Sequence, residues 1–102
     1  MAGSCDIEGT MQLLSRKWTL LIIKSLIDSG TLRYRELAAK LNGISPKTLS
    51  DRLRELEQQD IIRRESFPEI PPRVEYSLTE KGAELGAALK GIVDWSEKWG
   101  SG

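Results

Sequence analysis

The sequence predicts a mainly α-helical protein with one small β-hairpin, in the element order α-α-α-α-β-β-α. Three observations predict this fold class. Apolar residues recur at helical spacing from Ile7 to Leu56, two strand-like stretches flank a proline-rich segment, and a long amphipathic stretch closes the chain. With 102 residues, of which 39% are apolar, the chain can bury one modest core. We therefore expect a single domain over residues 5–99, with flexible ends at residues 1–4 and 100–102.

The first two helices are expected to follow one another almost without a break. Ile7, Met11 and Leu14 stand on one face of a short amphipathic helix. The stretch RKWTLLIIKSLID, residues 16–28, then predicts a helix that is apolar nearly all round, and Gly30 is expected to end it. A helix of that kind belongs at the centre of a fold or between subunits.

The third and fourth helices are separated by only a few residues. The third is predicted from apolar side chains at three- and four-residue spacing, Tyr34, Leu37, Ala38 and Leu41. Gly43 is expected to end it, and Thr31 and Leu32 before it are compatible with a very short strand. Ser45 as N-cap and Pro46 at the first helical position then start a fourth helix. This spacing is typical of a helix-turn-helix.

The fourth helix carries cations and hydroxyls on one half of its outer face. Leu49, Leu53 and Leu56 form its inner stripe. At about 100° per residue, the side chains opposite that stripe are Lys47, Thr48, Asp51, Arg54, Glu55 and Gln58, with Ser50 and Arg52 on the flanks. The N-terminal half is therefore basic or hydroxylic and the C-terminal end acidic. A recognition helix reads DNA bases mainly with its N-terminal residues, so this polarity favours such a role.

Two strands with a stiff connection follow Asp60. In the second strand, Val74, Tyr76 and Leu78 alternate with polar residues, which predicts one inward and one outward face. The connection FPEIPP contains three prolines, which stiffen a loop and keep it from pairing with another strand edge. A hairpin of this kind beside a helix-turn-helix is a wing. The fold class expected is thus a winged helix-turn-helix with an extra helix at each end.

The last predicted helix begins at Thr79, a favourable N-cap. Its apolar stripe consists of Leu85, Ala88, Leu89, Ile92, Trp95 and Trp99. Gly82, Gly86 and Gly91 each lower helix propensity by about 1 kcal/mol relative to Ala. Two explanations remain open for these glycines: packing too close for a side chain, or loosely ordered helix ends.

Composition excludes several classes of function. The chain has no histidine and a single cysteine, Cys5, which removes His-based catalysis, internal disulfides and most zinc sites. Its glycines are scattered rather than grouped in a phosphate-binding loop. No apolar run approaches the roughly 18 residues of a membrane span, and no signal peptide is visible. We therefore expect a cytoplasmic protein that is not an enzyme and that carries neither metal nor cofactor.

Charge is balanced over the chain but unevenly distributed. The net charge is zero, yet residues 33–54 hold six Lys or Arg and two acids, and residues 55–60 hold three acids. One basic surface is therefore compatible with a neutral total, which is the distribution expected of a DNA-binding face. By itself this charge pattern favours an ordinary solvated helical surface.

Several short motifs in order resemble the HxlR family of winged helix-turn-helix transcriptional regulators. They are a cysteine near the start, KWT in the second helix, GIS before the fourth, LREL within it, and VEYSLTEKG after the wing. The resemblance covers about residues 5–99. It implies a homodimeric DNA-binding regulator, broadly MarR-like, that pairs through its N- and C-terminal helices. The family commonly has proline after the first cysteine, where this chain has Asp6.

Candidate DNA contacts follow from the fourth helix and its neighbours. Lys47, Thr48, Ser50 and Arg54 are expected in the major groove, where Arg can read guanine and Thr a thymine methyl. Asp51 points the same way and could reject phosphate, accept from cytosine or pair with a nearby cation. Further candidates are Ser45 as a cap that also suits phosphate, Arg33 and Arg35 for the phosphate backbone, and Arg73 for the wing, with an ordinary surface Arg beside Glu75 as the alternative.

The terminal helices supply the expected dimer contacts. The candidate interface residues are Ile7, Met11, Leu14, Trp18, Leu85, Leu89, Ile92, Trp95 and Trp99. Pairing would set two recognition helices about one DNA turn apart, roughly 34 Å, on a palindromic operator. Cys5 has two interpretations, a redox or electrophile sensor or an inert packed thiol. The alternative to a DNA-binding regulator is a winged-helix module that binds protein and no DNA. The sequence does not identify an effector ligand.

Overall fold

The computed structural model describes residues 6–100. Its elements are α1 (Ile7–Leu14), α2 (Thr19–Ser29), β1 (Thr31–Arg33), α3 (Tyr34–Lys40), α4 (Pro46–Gln58), β2 (Ile62–Phe67), β3 (Arg73–Leu78) and α5 (Glu80–Trp99). This order confirms the mainly helical fold with a hairpin wing and a further helix at each end. The short strand considered before the third helix is also present, as β1. We call residues 62–78, which comprise β2, β3 and their connection, the wing.

The start of α2 differs from the sequence expectation. The helix was expected from Arg16, but it begins at Thr19, because Trp18 has φ 81° and ψ −18° in the left-handed region. A right-handed helix needs negative φ at every residue, so it cannot run through a residue in that region. The Trp18 side chain packs against the core instead. The prediction of helix over residues 16–18 is therefore wrong, whereas Gly30 does end α2, with φ 82°.

The three strands form one antiparallel sheet in the order β1-β3-β2. In the register, Tyr76 of β3 lies between Leu32 of β1 and Arg64 of β2. Tyr76 and Leu32 are buried, and Val74 and Leu78 on the same face of β3 pack against the core. The predicted inward face of this strand is thus confirmed. Pairing with β1 fastens the base of the wing to the segment that leads into α3.

A single apolar cluster joins the central helices to the sheet. Its buried hydrophobic members are Ile22, Ile23, Leu26, Leu32, Leu37, Leu41, Leu49, Leu53, Leu56, Ile61, Ile62 and Tyr76. The cluster draws on α2, α3, α4 and all three strands. The helix-turn-helix is therefore held rigidly against α2, and the outer face of α4 is left to solvent.

Helix α5 packs closely against Ile61, which precedes β2, and against Ile27 of α2. Thr79 caps it by accepting from the Gly82 N–H at 3.0 Å, and its own hydroxyl donates to the Asp60 carbonyl at 2.6 Å. A Cβ at Gly82 would collide with the Ile61 carbonyl oxygen, and one at Gly86 would lie 2.8 Å from Ile27 Cδ1. Close packing thus explains these two glycines, but Gly91 faces open space. Within residues 6–100, no helix is both long and apolar enough to cross a membrane.

Candidate nucleic-acid interface

Helix α4 is fixed on one side by the core and capped at its start. The side chains of Leu49, Leu53 and Leu56 are at most 2% exposed. The Ser45 hydroxyl accepts from the Thr48 N–H at 3.1 Å, which confirms the predicted N-cap, and Pro46 occupies the first helical position. Both features set the direction in which the opposite face of the helix points, so this face is presented rigidly to solvent.

Two cations on the outer face of α4 flank one carboxylate. The Lys47 side chain is 85% exposed and that of Arg54 is 66% exposed. Between them, Asp51 accepts from Lys47 Nζ at 2.9 Å and from Arg54 Nη1 at 3.4 Å. The hydrogen bond from Lys47, together with the charges of Lys47, Arg54 and Arg52, lowers the pKa of Asp51 below its ordinary value. Of the three roles considered for Asp51, pairing with its neighbours is the one seen here.

Thr48 and Ser50 are only half-exposed. The Thr48 hydroxyl accepts from Ser45 Oγ at 2.9 Å, so the cap and the candidate reader share one hydrogen bond. Ser50 Oγ lies 3.4 Å from the Tyr34 hydroxyl, which itself donates to the Pro46 carbonyl at 3.1 Å. Ser50 therefore faces α3 as much as solvent. A contact from Ser50 to DNA would compete with this contact to Tyr34.

Arg52 and Glu55 have a different role, which the helical pattern did not reveal. Arg52 Nε donates to the Lys17 carbonyl at 3.0 Å, and its side chain is only 17% exposed. Glu55 Oε2 lies 3.3 Å from Arg52 Nη1 and 3.5 Å from Arg16 Nη1. These contacts fasten α4 to the connection between α1 and α2. Glu55, expected on the outer face, is thus turned toward that connection.

Arg33 and Arg35 lie beside the wing at the start of α3. They are exposed, and together with Tyr34 they line a cleft of about 440 Å³ whose other wall is the wing connection at residues 69–72. The Arg33 N–H donates to Glu36 Oε1 at 2.8 Å, a contact that caps α3. The structure therefore brings two of the candidate phosphate contacts close to the connection of the wing.

Arg73 is committed to contacts within the wing. Its guanidinium stacks on the Phe67 ring, 4.0 Å from the centroid, and pairs with Glu69 at 2.8 Å and Glu75 at 3.3 Å. Its side chain is 26% exposed. The arrangement matches the alternative of an Arg paired with Glu75 and adds a second acid from the connection. Arg73 therefore braces the wing, and a contact to DNA would have to compete with two carboxylates.

The candidate dimer residues divide into two groups. Leu14, Trp18, Leu85 and Leu89 are partly buried against the core of their own chain. Ile7, Met11, Ile92, Trp95 and Trp99 are 53–64% exposed. The pattern missed three further exposed apolar side chains, Leu20, Leu21 and Ile27 of α2. These three form a groove of about 530 Å³ with Leu89, Ile92 and Val93 of α5.

Cys5 lies outside the residues that the structure describes. Within residues 6–100, no three acidic side chains converge in a way that could hold a metal ion.

A helix-turn-helix whose second helix exposes Lys47 and Arg54, together with an adjoining hairpin, defines a winged helix-turn-helix protein. The chain belongs to the family of HxlR-like helix-turn-helix proteins, whose model matches residues 13–102. The protein is accordingly a transcriptional regulator with a helix-turn-helix domain.

Individual relatives agree with this assignment. The chain is 40% identical over 92 residues to YvaP of Bacillus subtilis, an uncharacterised HTH-type transcriptional regulator, across 90% of this chain and 84% of YvaP. It is similar to the reduced form of the transcriptional regulator YodB from B. subtilis, with a TM-score of 0.81, 39% identity and 94% of each chain covered. The redox regulator HypR in its oxidised form gives a TM-score of 0.84 at 35% identity, with 92% of this chain and 96% of HypR covered.

Proposed function

We propose that the protein is a sequence-specific regulator that binds double-stranded DNA as a homodimer, with α4 in the major groove. The exposed pair Lys47 and Arg54 on the outer face of a rigidly held α4 is the observation that carries this proposal. Arg54 can donate two hydrogen bonds to a guanine edge, and Lys47 near the helix start can reach a base or a phosphate. Thr48 adds a hydroxyl and a methyl group beside them.

Contacts to the phosphate backbone would come from the flanks of α4. Arg33 and Arg35 are exposed at the start of α3, on the side where the wing projects. Ser45 offers the start of α4, where the N–H groups and the helix dipole favour an anion. Contacts of this kind fix the register of the protein on DNA without reading sequence.

A homodimer is supported by the apolar side chains that one copy leaves uncovered. Contiguous apolar patches on a protein surface often mark an interface, and covering one with its twin on a second copy forms a closed two-fold pair. We propose that the pair forms through α5 with α1 and α2, and that the two α4 helices then meet a palindromic operator about one DNA turn apart.

The proposal is tested by binding to duplexes recovered from a random pool with the purified chain. Fluorescence anisotropy at two salt concentrations should show affinity that falls steeply with salt, because phosphate contacts release counterions. The competing function, a protein-binding winged helix, predicts no salt-dependent binding to any recovered duplex. An empty selection would therefore favour that alternative.

Arg54→Ala should weaken binding to the selected duplex by about ten- to a hundred-fold and relax base preference at one position of each half-site. Lys90→Ala is the matched control, because Lys90 forms an i,i+4 pair with Asp94 at 3.0 Å that resembles the pair of Lys47 with Asp51. The control should bind as the parent does. An unaltered base preference in Arg54→Ala would exclude this face of α4 as the reading surface.

We further propose that Cys5 makes DNA binding responsive to oxidants or electrophiles. The support is the relatedness to YodB and to HypR, which is named a redox regulator. Cys5→Ser should abolish any response of DNA affinity to diamide or peroxide while the affinity of the reduced protein stays unchanged. A parent protein whose affinity is the same before and after oxidation would rule out this role and leave the inert thiol.

A further inference from the structure

We propose that the wing reaches the minor groove with an apolar tip, inserting Ile70 against the base edges as a wedge. This inference rests on the proposed DNA binding and names a contact that it does not include. Wings that bind through charge need free cations at their ends. The connection between β2 and β3 presents an aliphatic side chain and prolines instead.

The Ile70 side chain is fully exposed to solvent. It is the most exposed large hydrophobic side chain among residues 6–100, with a relative exposure of 102%. Pro68, Pro71 and Pro72 around it are also exposed. Prolines restrict the backbone before binding, so ordering this segment on a partner loses little conformational entropy. A single apolar side chain that projects from a stiff backbone can be buried in a narrow groove more fully than on a flat protein surface.

The acid nearest the wing tip is paired with a cation of the wing itself. Glu69, next to Ile70, pairs with Arg73 at 2.8 Å, and Glu75 pairs with the same guanidinium at 3.3 Å. Glu65 is exposed and lies opposite Glu75 in the strand ladder, in the half of β2 nearer the connection. The stacking of Arg73 on Phe67 holds this arrangement in place. Arg73 thus pairs with the acid nearest the tip, which reduces the negative charge that nearby phosphates would meet.

The tip also adjoins the proposed DNA face. Arg33 and Arg35 form the wall of the cleft opposite residues 69–72, and they offer cations to the phosphates that border a minor groove. Tyr34 lines the same cleft and donates to the Pro46 carbonyl at the start of α4. Wing, α3 and the start of α4 are therefore continuous. Apolar wedges of Ile or Pro in minor grooves part base steps and bend the duplex, most easily at pyrimidine–purine steps.

The test compares Ile70→Ser with the parent on one end-labelled duplex selected by the intact protein. We expect Ile70→Ser to bind that duplex about ten-fold more weakly, because the serine restores little of the apolar burial. The bend, measured by energy transfer between the duplex ends, should also decrease. Ile70→Val, which keeps an apolar tip, should retain most of the affinity and the bend.

Two results would separate the wedge from the DNA binding on which it rests. If Ile70→Ser binds and bends the duplex as the parent does, the wedge is overturned while salt-dependent binding by the parent still supports the regulator. An Ile70→Ser protein that loses only a protein partner would likewise overturn it in favour of a protein contact. A parent that binds no selected duplex removes both proposals.

Discussion

At the level of single residues, Asp51 offsets part of the positive charge on the outer face of α4. It accepts from both exposed cations of α4, and those contacts lower the pKa of its carboxyl group. A depressed folded pKa means that the charged pairing is present above the ordinary aspartate pKa and is lost only as the pH falls through the lowered value. Throughout the neutral range, DNA would therefore have to compete with Asp51 for Lys47 and Arg54.

Asp51→Asn should increase affinity for duplexes of unrelated sequence. The change frees both cations for phosphate, so the slope of log affinity against log salt should steepen by about 0.9 for each new contact. Titrations at several salt concentrations measure this slope. Asp94→Asn, which breaks the similar pair with Lys90 on α5, should leave it unchanged. Weaker binding by Asp51→Asn would contradict this competition between Asp51 and the phosphates.

Single-residue roles were only partly accessible from the sequence. Helical spacing places Lys47, Asp51 and Arg54 on one face, and their pairing follows from that spacing. The pairing of Arg73 with Glu69 did not follow from spacing in the sequence. Glu69 reaches it across the wing connection, and the bend of that connection cannot be read from alternation. Arg52 likewise looked like a flanking surface cation, but it binds the Lys17 carbonyl, 35 positions away in the chain.

Among the elements, α5 depends on two glycines that let it approach the body of the protein. Gly82 lies against the carbonyl of Ile61, and Gly86 lies against the side chain of Ile27. The Ile61 backbone cannot move aside as the end of the Ile27 side chain can. A side chain at position 82 is therefore expected to destabilise the fold more than one at position 86.

Gly82→Ala should lower the free energy of unfolding by about 1–3 kcal/mol, because the new Cβ forces α5 away from Ile61. Gly91→Ala in the same helix meets open space, so it should be neutral or raise stability by up to about 1 kcal/mol. Urea unfolding at a fixed chain concentration compares the two variants. Equal stability for both would show that α5 does not pack as described.

Most element boundaries followed from caps and breakers visible in the sequence. Ser45, Thr79 and Gly30 stand where the structure begins or ends a helix. There are two exceptions: α3 ends at Lys40 and not at Gly43 as expected, and α2 begins later than its sequence predicts. Its apolar spacing continues through Trp18, but that residue packs against the core in a left-handed conformation, and the neighbouring Lys17 carbonyl is held by Arg52. Tertiary contacts of this kind override local periodicity and leave no local signal.

For the whole molecule, the uncovered side chains of α2 and α5 define where a second copy would pack. The sequence pointed to Trp95, Trp99 and Ile92 on α5. It did not point to Leu20 and Leu21, because a helix that is apolar all round does not reveal which side its neighbours will cover. Only the position of α5 shows that these two leucines remain at the surface.

Trp95→Glu should convert a dimer to a monomer, because a buried carboxylate without a partner is strongly unfavourable in an apolar interface. Light scattering during size-exclusion chromatography measures the mass directly. Lys90→Glu introduces the same carboxylate on roughly the opposite face of α5 and should stay dimeric. A monomeric parent, or a dimeric Trp95→Glu protein, would contradict the proposed pairing surface.

The exposed tryptophans carry a consequence for how sharply the protein would switch its target genes. If the chains pair through Trp95 and Trp99 before they bind DNA, the concentration of dimer rises with the square of the total protein concentration. This holds as long as most copies are monomers. A doubling of expression would then raise promoter occupancy up to fourfold at the low end of the curve. The apolar face of α5 would in this way set a concentration threshold. Promoter occupancy would stay low while the protein is scarce and would rise steeply once it accumulates.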